Sequence, residues 1–461
     1  MKVFHLVAWY YPGPPGGSEA YVGAISRSMA SAGCSVCVIA PQAGISGLER
    51  YEHEGVSVVR YPIPSASTRE EVQGKARVRG TEYLHDFLRR ERPDIVHFHS
   101  FSTGIGIPEL RAARATGAKV FFTSHLAGLG YLCKRSTMMR WGKSQCDGIV
   151  RPIKCAACVL SDRLPRPLAW GVAALQVPAA LVPGRLKTLV GMPRIIADNL
   201  ARQEEVLQLC DAFFVPTEWA ADTMLANGAP EEKVRIMRVG IAHSRMSRKP
   251  GPLERPTRPP VRIGYFGRFE RMKGVCDLAR AFVALPKDLP LRLEFRGPVI
   301  PGESSMVRAE AEAIVAGDSR VSFQPAVSPR DALAVLSEYD VLCCPSLCAE
   351  AGPMVALEAF ACGTPVIATR IGGLAEIVTP GVSGDLVEPG DWLGLSKLLR
   401  RIAENPAATV DGWRENLPLP HTMAQVADDY LTTYNTARNS LSAVSAVSAA
   451  GTVFTNSHAG S

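Results

Sequence analysis

Several absences bound this 461-residue chain before any motif is considered. The N-terminus, Met1 to Ala8, is too short for the apolar core of a secretory signal and runs straight into Trp9-Tyr10-Tyr11-Pro12, so it reads as a buried first strand. From Leu168 to Val182 fifteen residues carry no charge, but that length and Pro178 argue against a spanning helix. This run reads either as core helices or as a membrane-surface contact. No basic stretch interleaves with aromatics, and an excess of seven cations falls short of a nucleic-acid footprint. That excess fits an anionic ligand or a membrane surface. Without an export signal the twelve cysteines are expected to be reduced thiols in a cytoplasm, not a disulfide framework. No Gly-x-Gly-x-x-Gly follows the first strand, which disfavours a dinucleotide oxidoreductase. No Asp-x-Asp pair is present to hold a metal on a diphosphate.

What is present is ordinary globular material: 47% hydrophobic and 21% charged residues, enough for two sizeable cores. The first 240 residues repeat one phrase, a short β-branched or aromatic run, a turn, then a helical pattern. Strands are predicted at 2–8, 34–40, 56–60, 95–99, 120–124, 212–216 and 234–237, with helices at 18–31, 70–90, 194–209 and 218–226. Strands alternating with helices mean βαβ units and a parallel sheet. From 246 to 260 prolines and charges crowd together as in a linker. The phrase then restarts, with strands at 261–266, 291–296, 341–345 and 365–369 and helices at 275–284, 329–337, 353–361 and 393–403. The expected fold is α/β, two doubly wound Rossmann-like domains facing across a deep cleft, spanning 1–245 and 261–420. A helix over 421–440 is expected to pack back on the first domain, and the Ser/Ala/Val-rich tail 441–461 to be disordered.

Two segments of the second half carry chemistry. In Gly267-Arg268-Phe269-Glu270-Arg271-Met272-Lys273-Gly274 a strand ends in a glycine turn with two cations before a helix. Such a turn lets backbone amides approach an anion, and Arg268 with Lys273 can neutralise a diphosphate. In Glu350-Ala351-Gly352-Pro353-Met354-Val355, Pro353 suits the first turn of a helix whose open amides at Met354 and Val355 can receive phosphate oxygens. Glu350 precedes that helix and Glu358 lies about one and a half turns inside it. Carboxylates so placed can accept hydrogen bonds from sugar and ribose hydroxyls.

These spacings, together with Gly363-Thr364-Pro365 and Gly372-Gly373-Leu374-Ala375-Glu376-Ile377-Val378, resemble the retaining nucleotide-sugar glycosyltransferases of family 4, which have the GT-B fold. In the first half Gly16-Gly17-Ser18-Glu19 is similar to the family's glycine loop near the donor phosphates. Pro93 to His99 is similar to its Pro-Asp-Val-Val-His-x-His strand, and Ser124-His125 stands where many members carry Thr-x-His. The resemblance implies a nucleotide-diphosphate sugar donor contacted by Gly16, Gly17, Gly267, Arg268, Lys273, Glu350, Met354, Val355 and Glu358. It implies His125 near the transferred sugar, with Arg268, Lys273 and Glu350 in the catalytic set. Front-face transfer without a catalytic metal follows, the departing phosphate taking the acceptor's proton. The acceptor is a glycan, a lipid-linked glycan or a small molecule. The family's Pro-Asn-Gly turn is altered here to Arg238-Val239-Gly240-Ile241-Ala242.

Four cysteines stand apart: Cys133, Cys146, Cys155 and Cys158, the last two as Cys-x2-Cys in a basic insertion after His125. They are candidate ligands of a structural zinc, or else reduced or redox-labile thiols. Basic residues over 69–92 read as a solvated helix face or as docking on anionic lipid, the latter suiting a place at the inner face of the membrane. Two further readings stay open. One is another enzyme on this fold, an epimerase or a phosphorylase. The other is a non-catalytic, zinc-organised assembly subunit.

Overall fold

A computed structural model describes residues 1–12, 16–68, 71, 76–175, 186–241 and 256–451. The chain divides into two compact units, Met1–Thr123 with Glu205–Phe214 and Met423–Ser461, and Ser124–Glu204 with Val215–Thr422. Most of the linker expected at 246–260 and the last ten residues of the expected tail lie outside the described residues.

The first unit is built on a sheet in the spatial order 212–215, 119–123, 95–98, 2–6, 35–43, 56–63, 49–53. All neighbours run parallel except the outermost pair, Glu49–His53 against Val56–Ile63. Its central strands are nearly continuously apolar and buried, as strands covered on both faces must be. Of the helix expected over 70–90, residues 76–80 are not helical and Thr81–Glu91 is a helix, while 70 and 72–75 lie outside the described residues. Gly80 is left-handed, φ 89°, and a Cβ there would lie 2.1 Å from the Pro62 carbonyl oxygen, so the chain must turn at that position. The helix Met423–Gly451 packs on Gly17–Ser31. Its Tyr430 hydroxyl meets Tyr21 at 3.0 Å and Thr123 at 2.8 Å.

Under that helix His97 and His99 stack and His5 lies tilted against both, on adjacent strands. Both ring nitrogens of His97 are in use, by Tyr434 at 2.5 Å and Thr123 at 2.7 Å, and His5 Nδ1 meets His99 Nε2 at 2.9 Å. Burial pushes the His5 pKa down to about 3. In the unfolded chain His5 takes up a proton near pH 6.5, so between about 3 and 6.5 only the unfolded state binds it. Stability is therefore expected to fall as pH drops below 6.5, by up to about 1.4 kcal/mol per pH unit from this group. Urea unfolding at pH 7, 6 and 5 measures that slope, and His5→Gln should flatten it by one proton.

The second unit carries a six-stranded, all-parallel sheet in the order 321–324, 291–296, 261–266, 341–344, 366–369, 384–387. In chain order that is 3-2-1-4-5-6, the doubly wound arrangement, with its reversal between Val261–Phe266 and Val341–Cys344. Phe269, Phe282, Phe295 and Leu399 fill one face, and Leu336, Phe360 and Leu374 the other. A buried network closes one end: Arg414 pairs with Asp340 at 2.8 Å and donates to the Thr257 hydroxyl at 2.6 Å. After the strand Lys119–Thr123, the helices Pro152–Leu160 and Arg166–Ala174 belong to a small module with its own core of Ala156, Ala157, Leu160, Ala169 and Ile196. Among the described residues no helix is long and apolar enough to cross a membrane.

Candidate active site

Ligands of doubly wound sheets bind outside the carboxyl ends of the strands where the order reverses. In the second unit that point brings two loops together. After Val261–Phe266 the chain passes Gly267 and makes one tight turn, Arg271–Lys273, before the helix Val275–Val283. Gly274, φ 68°, joins the two, and a Cβ there would fall 1.8 Å from the Pro345 carbonyl oxygen. The second loop, which follows Val341–Cys344, is thus pressed against the first, and its Leu347 amide donates to the Met272 carbonyl at 2.7 Å.

This contact delivers Lys273 to Glu350, Nζ to Oε2 at 2.7 Å. Burial lowers the Lys273 pKa and the Glu350 carboxylate raises it; the net stands above the ordinary lysine value, so the ammonium is charged at neutral pH. The other Glu350 oxygen accepts a hydrogen bond from the Ser346 hydroxyl. Ser346 is itself fixed, its carbonyl accepting from the Thr369 hydroxyl at 2.6 Å. The Glu350 carbonyl accepts the Gly373 amide at 2.7 Å. Gly372 and Gly373 permit that approach: a Cβ on Gly372 would lie 2.8 Å from Ala349 Cα, and one on Gly373 2.8 Å from the Glu350 carbonyl oxygen. Glu350 is therefore held at both its backbone and its carboxylate, with a cation at its side.

The helix Met354–Cys362 follows, with Pro353 at its N-cap. The Pro353 carbonyl accepts from Ala356, and the Met354 and Val355 amides stand at the helix's open end, where an anion is favoured. Glu358 is buried in the fifth position of this helix. Arg268 pairs with Glu270 at 2.9 Å, and the Tyr265 hydroxyl donates to its carbonyl at 2.5 Å. Gly267 is crossed closely by the chain after the second strand, since a Cβ on Gly297 would lie 1.8 Å from the Gly267 carbonyl oxygen. Gly16 caps the helix Gly17–Ser31 of the first unit. His125 lies just past the strand Lys119–Thr123, and burial pushes its pKa down to about 4, so its imidazole is neutral at pH 7.

Cys133, Cys146, Cys155 and Cys158 all line one cavity of about 560 Å³ in the small module. Among the described residues, the potential metal ligands whose donor atoms already lie mutually within 4.8 Å are those of His5, His97 and His99. With both His97 nitrogens committed to Tyr434 and Thr123, that trio is a hydrogen-bonded core and not an ion site.

With this geometry in place, two family models account for most of the chain. Residues 16–240 match the glycosyl transferase 4-like domain, and residues 252–418 match the glycosyl transferases group 1. The chain belongs to the glycosyltransferases. It is 24% identical over 423 residues to the D-inositol 3-phosphate glycosyltransferase of an Arthrobacter species (strain FB24), covering 87% of this chain and 84% of that one. To the D-inositol 3-phosphate glycosyltransferase 1 of Catenulispora acidiphila it is 30% identical over 226 residues, 45% of this chain and about half, 53%, of that one. Among solved structures it is similar to sucrose-phosphate synthase from Thermosynechococcus elongatus, with a TM-score of 0.64, 18% identity and coverage of 94% of this chain and 98% of that one. It is also similar to the Anabaena HepE protein in complex with UDP and glucose, with a TM-score of 0.62, 13% identity and coverage of 95% and 100%. At these identities the solved structures establish the GT-B fold alone.

One feature of this glycosyltransferase escaped the reading of its sequence. Glu376, the acid of the Gly-Gly-x-x-Glu segment, caps another helix: its carboxylate accepts the Glu218 and Trp219 amides at 3.0 and 2.7 Å. Arg238, in the altered turn, pairs with Glu376 and with Glu218, each at 2.7 Å. Arg238 thus ties the first residue of the altered turn to two acids by ion pairs. The arginine was legible in the sequence, but its partner, 138 residues away, was not.

Proposed function

We propose that the protein transfers a glycosyl group from a nucleotide-diphosphate sugar to an acceptor hydroxyl with retention and without a catalytic metal. The observation that carries this reading is the Lys273–Glu350 pair at the reversal point of the second sheet, beside the open amides of the Met354–Cys362 helix. When the sugar–phosphate bond breaks, negative charge grows on the departing diphosphate. A fixed ammonium and helix-end amides stabilise that charge in the manner of a metal ion. Glu350, already gripped at its backbone, is available to bind the donor sugar's hydroxyls. The new glycosidic bond forms on the face the phosphate leaves, and a phosphate oxygen takes the acceptor's proton. A neutral His125 suits a hydroxyl-binding role near the sugar.

The names of relatives that act on D-inositol 3-phosphate, and the UDP and glucose of the HepE complex, support an anionic or polyhydroxyl acceptor and a uridine nucleotide donor. A lipid-linked acceptor at the inner face of the membrane fits the helix Arg166–Ala174. There Leu168 and Trp170, with Leu175 just beyond, are exposed beside Arg163 and Arg166. Sedimentation with anionic and with neutral vesicles tests that contact; binding to neither kind removes it.

Thermal unfolding with UDP, GDP, ADP and their sugar conjugates tests the donor site. A ligand at about 100 times its Kd stabilises by roughly 2.7 kcal/mol. One nucleotide should raise the Tm of wild type and leave Arg268→Ala unmoved. Product analysis then separates transferase from epimerase, since an epimerase converts the donor with no acceptor present. No shift with any nucleotide would overturn the donor-site assignment.

A further inference from the structure

The small module that carries Cys133, Cys146, Cys155 and Cys158 has no part in the donor site, yet it touches it. Thr137 lies between Cys133 and Cys146, and its carbonyl accepts the amide of Ala349, the residue before Glu350, at 3.1 Å. Ser136 and Met138, on either side of it, are both left-handed, φ 55° and 50°, as is Trp141 at 56°. Three non-glycine residues in that region within six positions are costly and need something to hold them.

Four cysteines surround that segment on the wall of one cavity, with no three of their sulfurs yet mutually within 4.8 Å. Cys133 stands at the end of the first turn of the module. Cys146 follows a two-residue hairpin, Met139–Arg140 with Ser144–Gln145, and Cys155 and Cys158 share one face of the helix Pro152–Leu160. All four line the same cavity. Backbone amides are aimed at three of the sulfurs: Trp141 at Cys158 (3.3 Å), Arg151 at Cys155 (3.4 Å), and Gly148 at Cys146. Amide donors of this kind stabilise sulfur as an anion and orient it. The same cavity wall carries Lys134, Arg135, Arg140, Arg151 and Lys154; Arg151 and Lys154 pair with Asp147 and Arg135 with Asp162, which leaves a positive excess. That excess around four thiols suits a cluster that becomes negative, since four thiolates on a divalent ion leave a net charge of −2. In so small a module, whose core is largely alanine, an ion would supply the cohesion that side-chain packing does not.

We propose that Cys133, Cys146, Cys155 and Cys158 bind one zinc ion as four thiolates, and that the ion fixes the Thr137 carbonyl against Ala349 beside Glu350. Binding displaces the four thiol protons to solvent and changes no oxidation state. It draws the sulfurs to about 2.3 Å from the metal, in a tetrahedron with no open position, so the ion is structural.

The test uses the full chain purified under reducing conditions and stands apart from any transferase assay. Mass spectrometric metal analysis should give one zinc per chain, and the cobalt-exchanged protein should show the thiolate charge-transfer and intense visible bands of a tetrahedral four-sulfur site. In a fixed chelator challenge Cys146→Ser and Cys155→Ser should lose metal at least tenfold more readily than wild type. Cys146→His should keep it, and Cys34→Ser, outside the module, should behave as wild type. Hydrogen exchange of the peptide containing Ala349 should accelerate at least tenfold when zinc is stripped. Reduced protein with four titratable thiols and no zinc, or a Cys155–Cys158 disulfide in its place, would overturn the metal site. Stoichiometric zinc with unchanged exchange at Ala349 would overturn the coupling to the Glu350 loop.

Discussion

Lys273→Ala is expected to lower kcat/KM for the nucleotide-sugar about 10²- to 10³-fold, the range typical of removing one fixed charge from a developing anion. The ammonium is 2.7 Å from Glu350 and its pKa is raised, so in wild type it is cationic across the neutral range and no lysine limb should appear in the pH–rate profile below pH 9. Removing it has two consequences. On the proposed reading the leaving diphosphate loses one of its cations, whose effect is stronger in the transition state than in the ground state and so falls mainly on kcat. Glu350 also loses the partner that offsets its charge, leaving Ser346 alone to hold the carboxylate. Lys273→Arg should restore part of the rate, because charge is kept while the point-like ammonium is replaced by a planar fork. Glu350→Gln separates the two consequences, since it keeps a hydrogen-bonding side chain and leaves the lysine unpaired. It should raise KM for the donor sugar more than it lowers kcat. Steady-state kinetics with all three variants checks the assignment, and a Lys273→Ala enzyme within threefold of wild type would remove Lys273 from the site.

The doubly wound architecture was legible because buried parallel strands have to be apolar nearly throughout, and runs such as Val120-Phe121-Phe122 and Val366-Ile367-Ala368 leave no other reading. Two of the strands that the pattern missed lie at the margins of the sheets. Glu49–His53 is half polar and alternates, since only one side of an edge strand pairs and it runs antiparallel. Val321–Gln324 is likewise an edge, with no residue fully buried. The stretch over 70–90 looked continuous because its helical period survives Gly80, whereas the chain is interrupted at 76–80, where the Pro62 carbonyl packs on Gly80, and a helix starts at Thr81. At the site, the sequence showed that Lys273 and Glu350 each follow a strand. It could not show that these strands are the first and fourth of one sheet and so neighbours at its reversal, which is what makes a pair of them. The Thr137–Ala349 contact was invisible for the same reason: a carbonyl and an amide carry no side-chain signature.

Gly274→Ala is expected to destabilise the second unit by more than 3 kcal/mol and to abolish the Lys273–Glu350 pair. The contrast with two other glycines shows why. Gly228 and Gly317 have similar left-handed φ values, 84° and 79°, and nothing within 4 Å of a built Cβ. Alanine there should cost only the conformational term, about 1–2 kcal/mol. At Gly274 the same term applies, but the methyl would also sit 1.8 Å from the Pro345 carbonyl oxygen and 3.2 Å from Pro345 Cβ. Backbone on both sides has to move, because neither contact ends in a flexible side chain. The loop carrying Ser346, Leu347 and Glu350 is the part displaced, so the Leu347–Met272 hydrogen bond is lost with it. Urea unfolding of the three alanine variants should rank Gly274→Ala well apart from the other two. If it still folds at low temperature, it should bind no nucleotide, while Gly317→Ala binds as wild type does. Equal losses at all three positions would mean that the loops are not wedged together at Gly274, and the tight turn would then no longer explain how Lys273 is aimed.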